Sequence, residues 1–157
     1  MNQIVIYNQD ILTSNESYIL HQVNALGVMG AGIAKEIKKD ISDSDFKKYR
    51  KYVLEKYKGK DALGRVLLFK SVNYPNRFYF NLIAQENVGT NQRQTDYDAL
   101  KNSFLRIAKY CEKNKIEAIA IPYKMSCGLA GGDWNIVSLM IEDILLPITN
   151  IHIYKIE

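Results

Sequence analysis

Cysteine, histidine and proline are all scarce in this chain of 157 residues, and no hydrophobic run is long. The two cysteines, Cys111 and Cys127, form no CxxC pair, and the two histidines, His21 and His152, stand far apart. That spacing does not suit a structural zinc site, so no metal is expected. Two isolated thiols, behind an N-terminus (Met1-Asn2-Gln3-Ile4) with neither a basic start nor an apolar core, point to free cysteines in the cytoplasm. The longest apolar runs, such as Val66-Leu67-Leu68-Phe69 and Ile144-Leu145-Leu146, fall far below the ~20 residues that cross a bilayer, so no membrane partner is expected. A large excess of one charge is missing too: 21 Lys and Arg against 17 Asp and Glu leave a net charge of +4. The basic stretch 35–60 is diluted with acids and reads as a solvated helical face, so nucleic acid is not the expected partner. Repeats, low-complexity tracts and linkers are absent. The length suits one domain, residues 1–157, and without coiled-coil heptads a monomer is expected.

What is present is a regular alternation of short β-rich runs and amphipathic segments. Residues 3–7 read as a strand with Ile4 and Ile6 on one face, and 17–23 as a second. A helix opens at Gly30 or Ala31 and runs to about 39. Another covers 43–57, with Phe46, Tyr49, Val53 and Leu54 as its apolar stripe. Strands over 64–70 and 77–84 flank the turn Ser71-Val72-Asn73-Tyr74-Pro75-Asn76, and "RFYFNLIA" is apolar on both faces, as a central strand is. Thr95, with Asp98 three positions on, is placed to cap a long helix over 96–114 whose buried stripe is Leu100, Phe104, Ile107 and Cys111. A short strand follows over 117–121, stopped by Pro122. The last helix, 133–146, turns Trp134, Val137, Ile141 and Leu145 inward, and 151–156 closes as a strand. The order ββααββαβαβ implies crossovers and a mixed sheet with helices on both faces, with ligands beyond the carboxyl ends of the strands.

Two loops leave strand ends in that position and are rich in glycine: Gln22-Val23-Asn24-Ala25-Leu26-Gly27-Val28-Met29-Gly30-Ala31-Gly32-Ile33-Ala34 and Pro122-Tyr123-Lys124-Met125-Ser126-Cys127-Gly128-Leu129-Ala130-Gly131-Gly132-Asp133-Trp134. Glycine lets backbone N–H groups turn toward an oxyanion with no Cβ in the way, and each loop runs into a helix start. A pair of such loops suits a diphosphate; the alternative is that the glycines serve only tight turns. "GVMGAG" is not the GxGxxG dinucleotide fingerprint, and no GxxxxGK[ST] motif exists.

"QVNALGVMGAGIAKEI" resembles the first ligand loop of macrodomains, "IPYKMSCGLAGGDW" resembles their second, and "NQDIL" stands where that family usually has Gly-Asp-Ile. The resemblance runs from about Ile4 to Tyr154. It is nearest to the branch of terminal ADP-ribose protein glycohydrolase, its bacterial antitoxin relatives and the yeast-type ADP-ribose 1″-phosphate phosphatases. It implies an α/β fold, a three-layer α/β/α macrodomain with a central mixed sheet, binding ADP-ribose or an ADP-ribosylated substrate and needing no cofactor. Carried over, Asp10 accepts from the adenine amino group beside the Ile11 N–H, and Asn24 contacts the distal ribose. Gly30, Ala31, Gly32 and Ile33 offer backbone to the diphosphate, and Ser126, Cys127, Gly128, Leu129 and Ala130 clasp it from the other side. Asn24 could equally brace its own loop, and Asp10 could be a turn former.

The resemblance also implies hydrolysis of an ADP-ribose derivative, either the 1″-phosphate or an ADP-ribosyl group on protein or nucleobase; the alternative is a module that binds ADP-ribose without turning it over. Gln85 stands at the position of the glycohydrolase lysine and Ala130 at that of its aspartate, and neither can attack carbon or take a proton at neutral pH. The remaining catalytic candidates are His21, Asn24 and Asp133. His21 could relay a proton or be a packed core histidine, and Asp133 could act on water or merely cap the last helix.

Overall fold

A computed structural model describes residues 1–156. Six strands form one sheet in the order β1-β6-β5-β2-β4-β3. They are β1 (Ile4–Tyr7), β2 (Tyr18–Asn24), β3 (Val66–Lys70), β4 (Phe78–Gln85), β5 (Ala118–Pro122) and β6 (Asn150–Tyr154). All neighbouring pairs are parallel except β3 with β4, which is antiparallel at the edge. Four helices cover the two faces: α1 (Gly32–Lys38), α2 (Asp43–Lys51), α3 (Tyr97–Asn114) and α4 (Trp134–Met140). The element order is the one the sequence implied, and the architecture is three-layer α/β/α around a mixed sheet.

Successive residues of the central strands point to opposite faces, so each strand feeds two cores. Leu20, Phe80, Leu82 and Ile121 join Leu100, Phe104, Ile107 and Val137 under α3 and α4. Their chain neighbours Ile19, Tyr79, Ile83 and Ala120 join Ile37, Tyr49 and Val53 under α1 and α2. This two-sided burial is why β2, β4 and β5 read as nearly continuous apolar runs. β1 is an edge strand: Ile4 packs against the α3/α4 core, while Ile6, two residues on along the same face, is exposed.

Several boundaries differ from the sequence reading. Both expected long helices, 43–57 and 133–146, end in a π-helical turn, over Tyr52–Lys56 and Ile141–Leu145, closed by Tyr57 N–H to Tyr52 O and Leu146 N–H to Ile141 O. The wider turn rotates the apolar stripe: Val53 is buried while Leu54 is exposed. Asp96, not Thr95, caps α3, its Oδ1 accepting from the Ala99 N–H at 3.0 Å. Thr95 is drawn into the interior instead, where its hydroxyl donates to Ser126 O at 2.7 Å.

The α1/α2 face of the sheet holds a fully buried polar pair. His21 on β2 and Asn81 on β4 sit side by side in register, both fully buried, with His21 Nε2 2.5 Å from Asn81 Oδ1. The Asn81 amide nitrogen donates to Leu67 O and Tyr79 O, so its oxygen is the acceptor and His21 carries its proton on Nε2. Nδ1 then faces the core with no partner. Protonating it would place a charge and an unpaired donor in the interior, and burial pulls the His21 pKa down to about 4, against a smaller upward effect of the Asn81 hydrogen bond.

A folded-state pKa below the unfolded value means that the unfolded chain takes the proton first as pH falls. The His21 contribution is therefore complete above about pH 6.5 and is lost between there and about pH 4. Unfolding by denaturant across that window should show stability falling by a few kcal/mol more in the wild type than in His21→Gln. Parallel pH dependence in the two proteins would contradict the buried neutral histidine.

Candidate functional site

The carboxyl ends of β5, β2 and β4 open into a cleft of about 600 Å³. A bulge between Val23 and Asn24 shifts the register there, so that Asn24 faces Gln85 across the strand ends. The first glycine loop forms one wall and the second the opposite wall. Val88, Gly89 and Thr90, from the segment joining β4 to α3, close a third side.

The first loop is tied down from beneath. Asn24 Oδ1 accepts from the N–H groups of Leu26 (3.0 Å) and Val28 (3.3 Å), while its Nδ2 donates to Val28 O at 2.9 Å. The Tyr49 hydroxyl, deep in α2, donates to Asn24 O at 2.6 Å, and an Arg50 guanidinium N–H donates to Gly27 O at 2.8 Å. Burial raises the Tyr49 phenol well above its ordinary pKa, so it stays a donor. Asn24 therefore does brace its own loop, and it also stands on the cleft wall. Beyond it, among the described residues, no protein group accepts from the N–H of Gly30, Ala31, Gly32 or Ile33, and no side chain caps the start of α1.

The second loop is built alike. Gly132 N–H donates to Ser126 O at 2.9 Å, and the N–H groups of Gln94 and Thr95 both donate to Ala130 O. The carbonyls are thus consumed, while the N–H groups of Ser126, Gly128, Leu129 and Ala130 find no protein acceptor among the described residues. A Cβ built on Gly30 or Gly128 meets open space, whereas one on Gly132 would come within 2.5 Å of Ser126 O. Lys124 and Ser126 hold left-handed backbone at φ 59° and 71°, a conformation that costs a non-glycine residue about 1 kcal/mol or more.

The cleft floor is a chain of neutral hydrogen bonds. Gln22 Nε2 donates to Gln85 Oε1 and to Thr95 Oγ1, both at 2.9 Å, and Gln85 Nε2 donates to Asn87 O at 2.7 Å. Gln85 anchors the neighbouring segment rather than standing free. Among the described residues, no carboxylate and no imidazole lies on the wall, and Lys124 is its one charged side chain.

Among the residues expected at the site, Asn24, Gly30, Ala31, Gly32, Ile33, Ser126, Gly128, Leu129 and Ala130 come together on the cleft wall. The others do not. His21 points from β2 into the core, bonded to Asn81, and does not line the cleft. Asp133 caps α4, accepting from the Asn135 N–H at 2.9 Å, outside the lining. Asp10 caps the 3-10 turn Ile11–Thr13 through the Leu12 N–H at 3.0 Å, and Ile11 is buried; both sit past the end of β1, off the cleft wall. Cys127 turns its thiol to Met125 O, and burial, reinforced by Asp133, pushes its pKa up to about 11, away from thiolate. The sequence reading passed over Gln22 and the segment Val88-Gly89-Thr90. The one signal for the latter was a glycine among polar residues just past a strand end, here at φ 131°.

A family model described as Macro domain matches residues 20–141. No curated protein matches the sequence. Among solved structures, a protein of unknown function from Bacteroides thetaiotaomicron is 22% identical, with 99% of each chain covered and a TM-score of 0.82. The macrodomain of Mycobacterium tuberculosis DarG is 19% identical over 98% of each chain, with a TM-score of 0.80. Thermosipho africanus DarTG, solved in complex with ADP-ribose, is 18% identical over 99% of this chain and 42% of its own, with a TM-score of 0.75. At these identities the structures attest the fold alone. The family match spans most of the sequence, including both glycine loops, and the chain belongs to the Macro domain family.

Proposed function

We propose that this chain is an ADP-ribose-binding domain that holds its ligand without hydrolysing it. The observation that carries this reading is the set of unpaired backbone N–H groups presented by two loops across one cleft. A pyrophosphate supplies acceptors to both sides at once, and amides held rigidly in place lose little freedom on binding. The complex of a similar protein, the Thermosipho DarTG, with ADP-ribose supports the choice of sugar diphosphate. Asn24 and the glutamine amides suit the hydroxyls of a ribose at the β2/β4 end, and Tyr123, edge-on to Trp134 with ring centroids 5.4 Å apart, gives the β5 end a flat aromatic surface for a base.

The absence of an acid or base from the cleft wall argues against turnover, since neither amides nor backbone can exchange a proton with a leaving group near neutral pH. Hydrolysis of the 1″-phosphate, or of an ADP-ribosyl group on protein or nucleobase, is the second reading. One observation favours it: Asn24 uses only one of its two amide protons within the protein and could orient a water with the other.

Calorimetric titration with ADP-ribose should give micromolar affinity, on the order of −8 kcal/mol. No heat and no thermal shift at millimolar ligand would sink the reading. Gly30→Val and Gly128→Val should keep the melting temperature of the wild type, since their Cβ positions are open, and weaken binding by roughly ten-fold or more. Gly132→Ala should behave differently, losing about 1–3 kcal/mol of stability through its backbone clash. Incubation with ADP-ribose 1″-phosphate and with ADP-ribosylated protein should leave both unchanged; product formation that is lost in Asn24→Ala would replace binding by hydrolysis.

A further inference from the structure

The cleft is electrically lopsided. Its β2/β4 end offers only neutral polar groups, Gln22, Asn24, Gln85 and Thr90. Its β5 end carries Lys124, and Lys155, at the exit of the adjacent strand β6 and outside the lining, reaches the ring of Tyr123 on the wall. The ammonium groups of Lys124 and Lys155 lie 5.6 and 4.9 Å from the centre of one ring, that of Tyr123. Among the described residues, neither lysine has a carboxylate within ion-pairing distance; the pairs that form involve Lys39, Lys48 and His152. Two cations beside one ring, neither of them in an ion pair, favour an anion bound next to that ring.

The backbone adds a second, independent observation. Lys124 sits at φ 59°, held by the turn from Met125 N–H to Pro122 O and from Cys127 N–H to Lys124 O. Glycine or asparagine would fill such a position at less cost than lysine does. The resting contacts of both ammoniums with Tyr123 are weak, and a phosphate dianion is a stronger partner for them than an aromatic face.

We propose that Lys124 and Lys155 form a subsite for a third phosphate, a phosphate monoester on the adenosine ribose of the ligand, at its 2′ or 3′ hydroxyl. This inference rests on the reading of the cleft as an ADP-ribose site with its base at the Tyr123 end. It adds a ligand class to that reading: the domain prefers ADP-ribose phosphorylated on its adenosine half. The neutral β2/β4 end gives no such advantage to a phosphate on the terminal ribose.

The test is parallel titration with ADP-ribose, its 2′-phosphate, its 3′-phosphate and its 1″-phosphate, at low salt and at several-fold higher salt. One of the two adenosine-side phosphates should bind roughly five-fold tighter than ADP-ribose at low salt, with the gain shrinking as salt rises. Which isomer gains identifies the hydroxyl. The 1″-phosphate should gain nothing. Lys155→Gln should bring the ratio of the two affinities close to one, and Lys155→Glu should invert it; a ratio taken within one variant cancels any general loss of stability. Equal affinity for ADP-ribose and both adenosine-side phosphates overturns the subsite while leaving ADP-ribose binding intact. So does a gain that survives both substitutions, or one shared by the 1″-phosphate. If no ligand produces heat, the cleft reading and the subsite fall together.

Discussion

Backbone amides that lack a partner are costly to shield from water, on the order of 1–3 kcal/mol each once buried, and folded chains ordinarily pair nearly all of them. Here two loops keep theirs unpaired at the mouth of a cleft, and the rest of the site is arranged to hold them so. In the first loop, Asn24 takes the amides of Leu26 and Val28, and Tyr49 and Arg50 reach up from α2 to take carbonyls. In the second, Thr95 and the backbone beside it consume the carbonyls of Ser126 and Ala130. Each loop is thereby locked through some of its groups while, among the described residues, the N–H groups of 30–33 and of Ser126, Gly128, Leu129 and Ala130 stay without a protein acceptor. Such a surface suits a ligand rich in acceptor oxygens.

The same arrangement accounts for the weak charge of the site. A diphosphate could be neutralised by arginines and lysines, but long cationic side chains lose rotamer freedom when they are ordered, and glycine loops do not. Among the described residues Lys124 is the one cation on the wall, and its ammonium and that of Lys155 lie beside the Tyr123 ring. The floor is likewise neutral. The amides of Gln22 and Gln85 bond to each other, to Thr95 and to the segment after β4, which holds them in place on the cleft floor.

Much of this was legible in the sequence. The period-two and period-3.6 patterns gave the ten elements in order, because a sheet buried on both faces and helices buried on one leave distinct signatures. The glycine loops were legible for a local reason: a run such as Val28-Met29-Gly30-Ala31-Gly32 can be read for backbone access without knowing what surrounds it, and its position after β2 already placed it at a strand end. The π-helical turns escaped notice because a single extra residue in a turn leaves the apolar spacing almost unchanged until Leu54 is found outside.

Tertiary structure alone decided which side chains face the cleft. Residue type and chain position made His21, Asp133, Cys127 and Asp10 candidates, but a strand shows its residues alternately to opposite faces, and a cap carboxylate turns toward its own helix. His21 fell on the face that packs against α1 and α2, beside Asn81, a partner 60 residues away in sequence. Thr95 left its capping role for Ser126, and Gln85 met Gln22, through pairings that exist only once β2 and β4 lie side by side. The sequence by itself determined where the backbone would be bare; the packing of distant strands determined which polar groups were left to meet a ligand and which were used up inside, because that depends on neighbours that no local window contains.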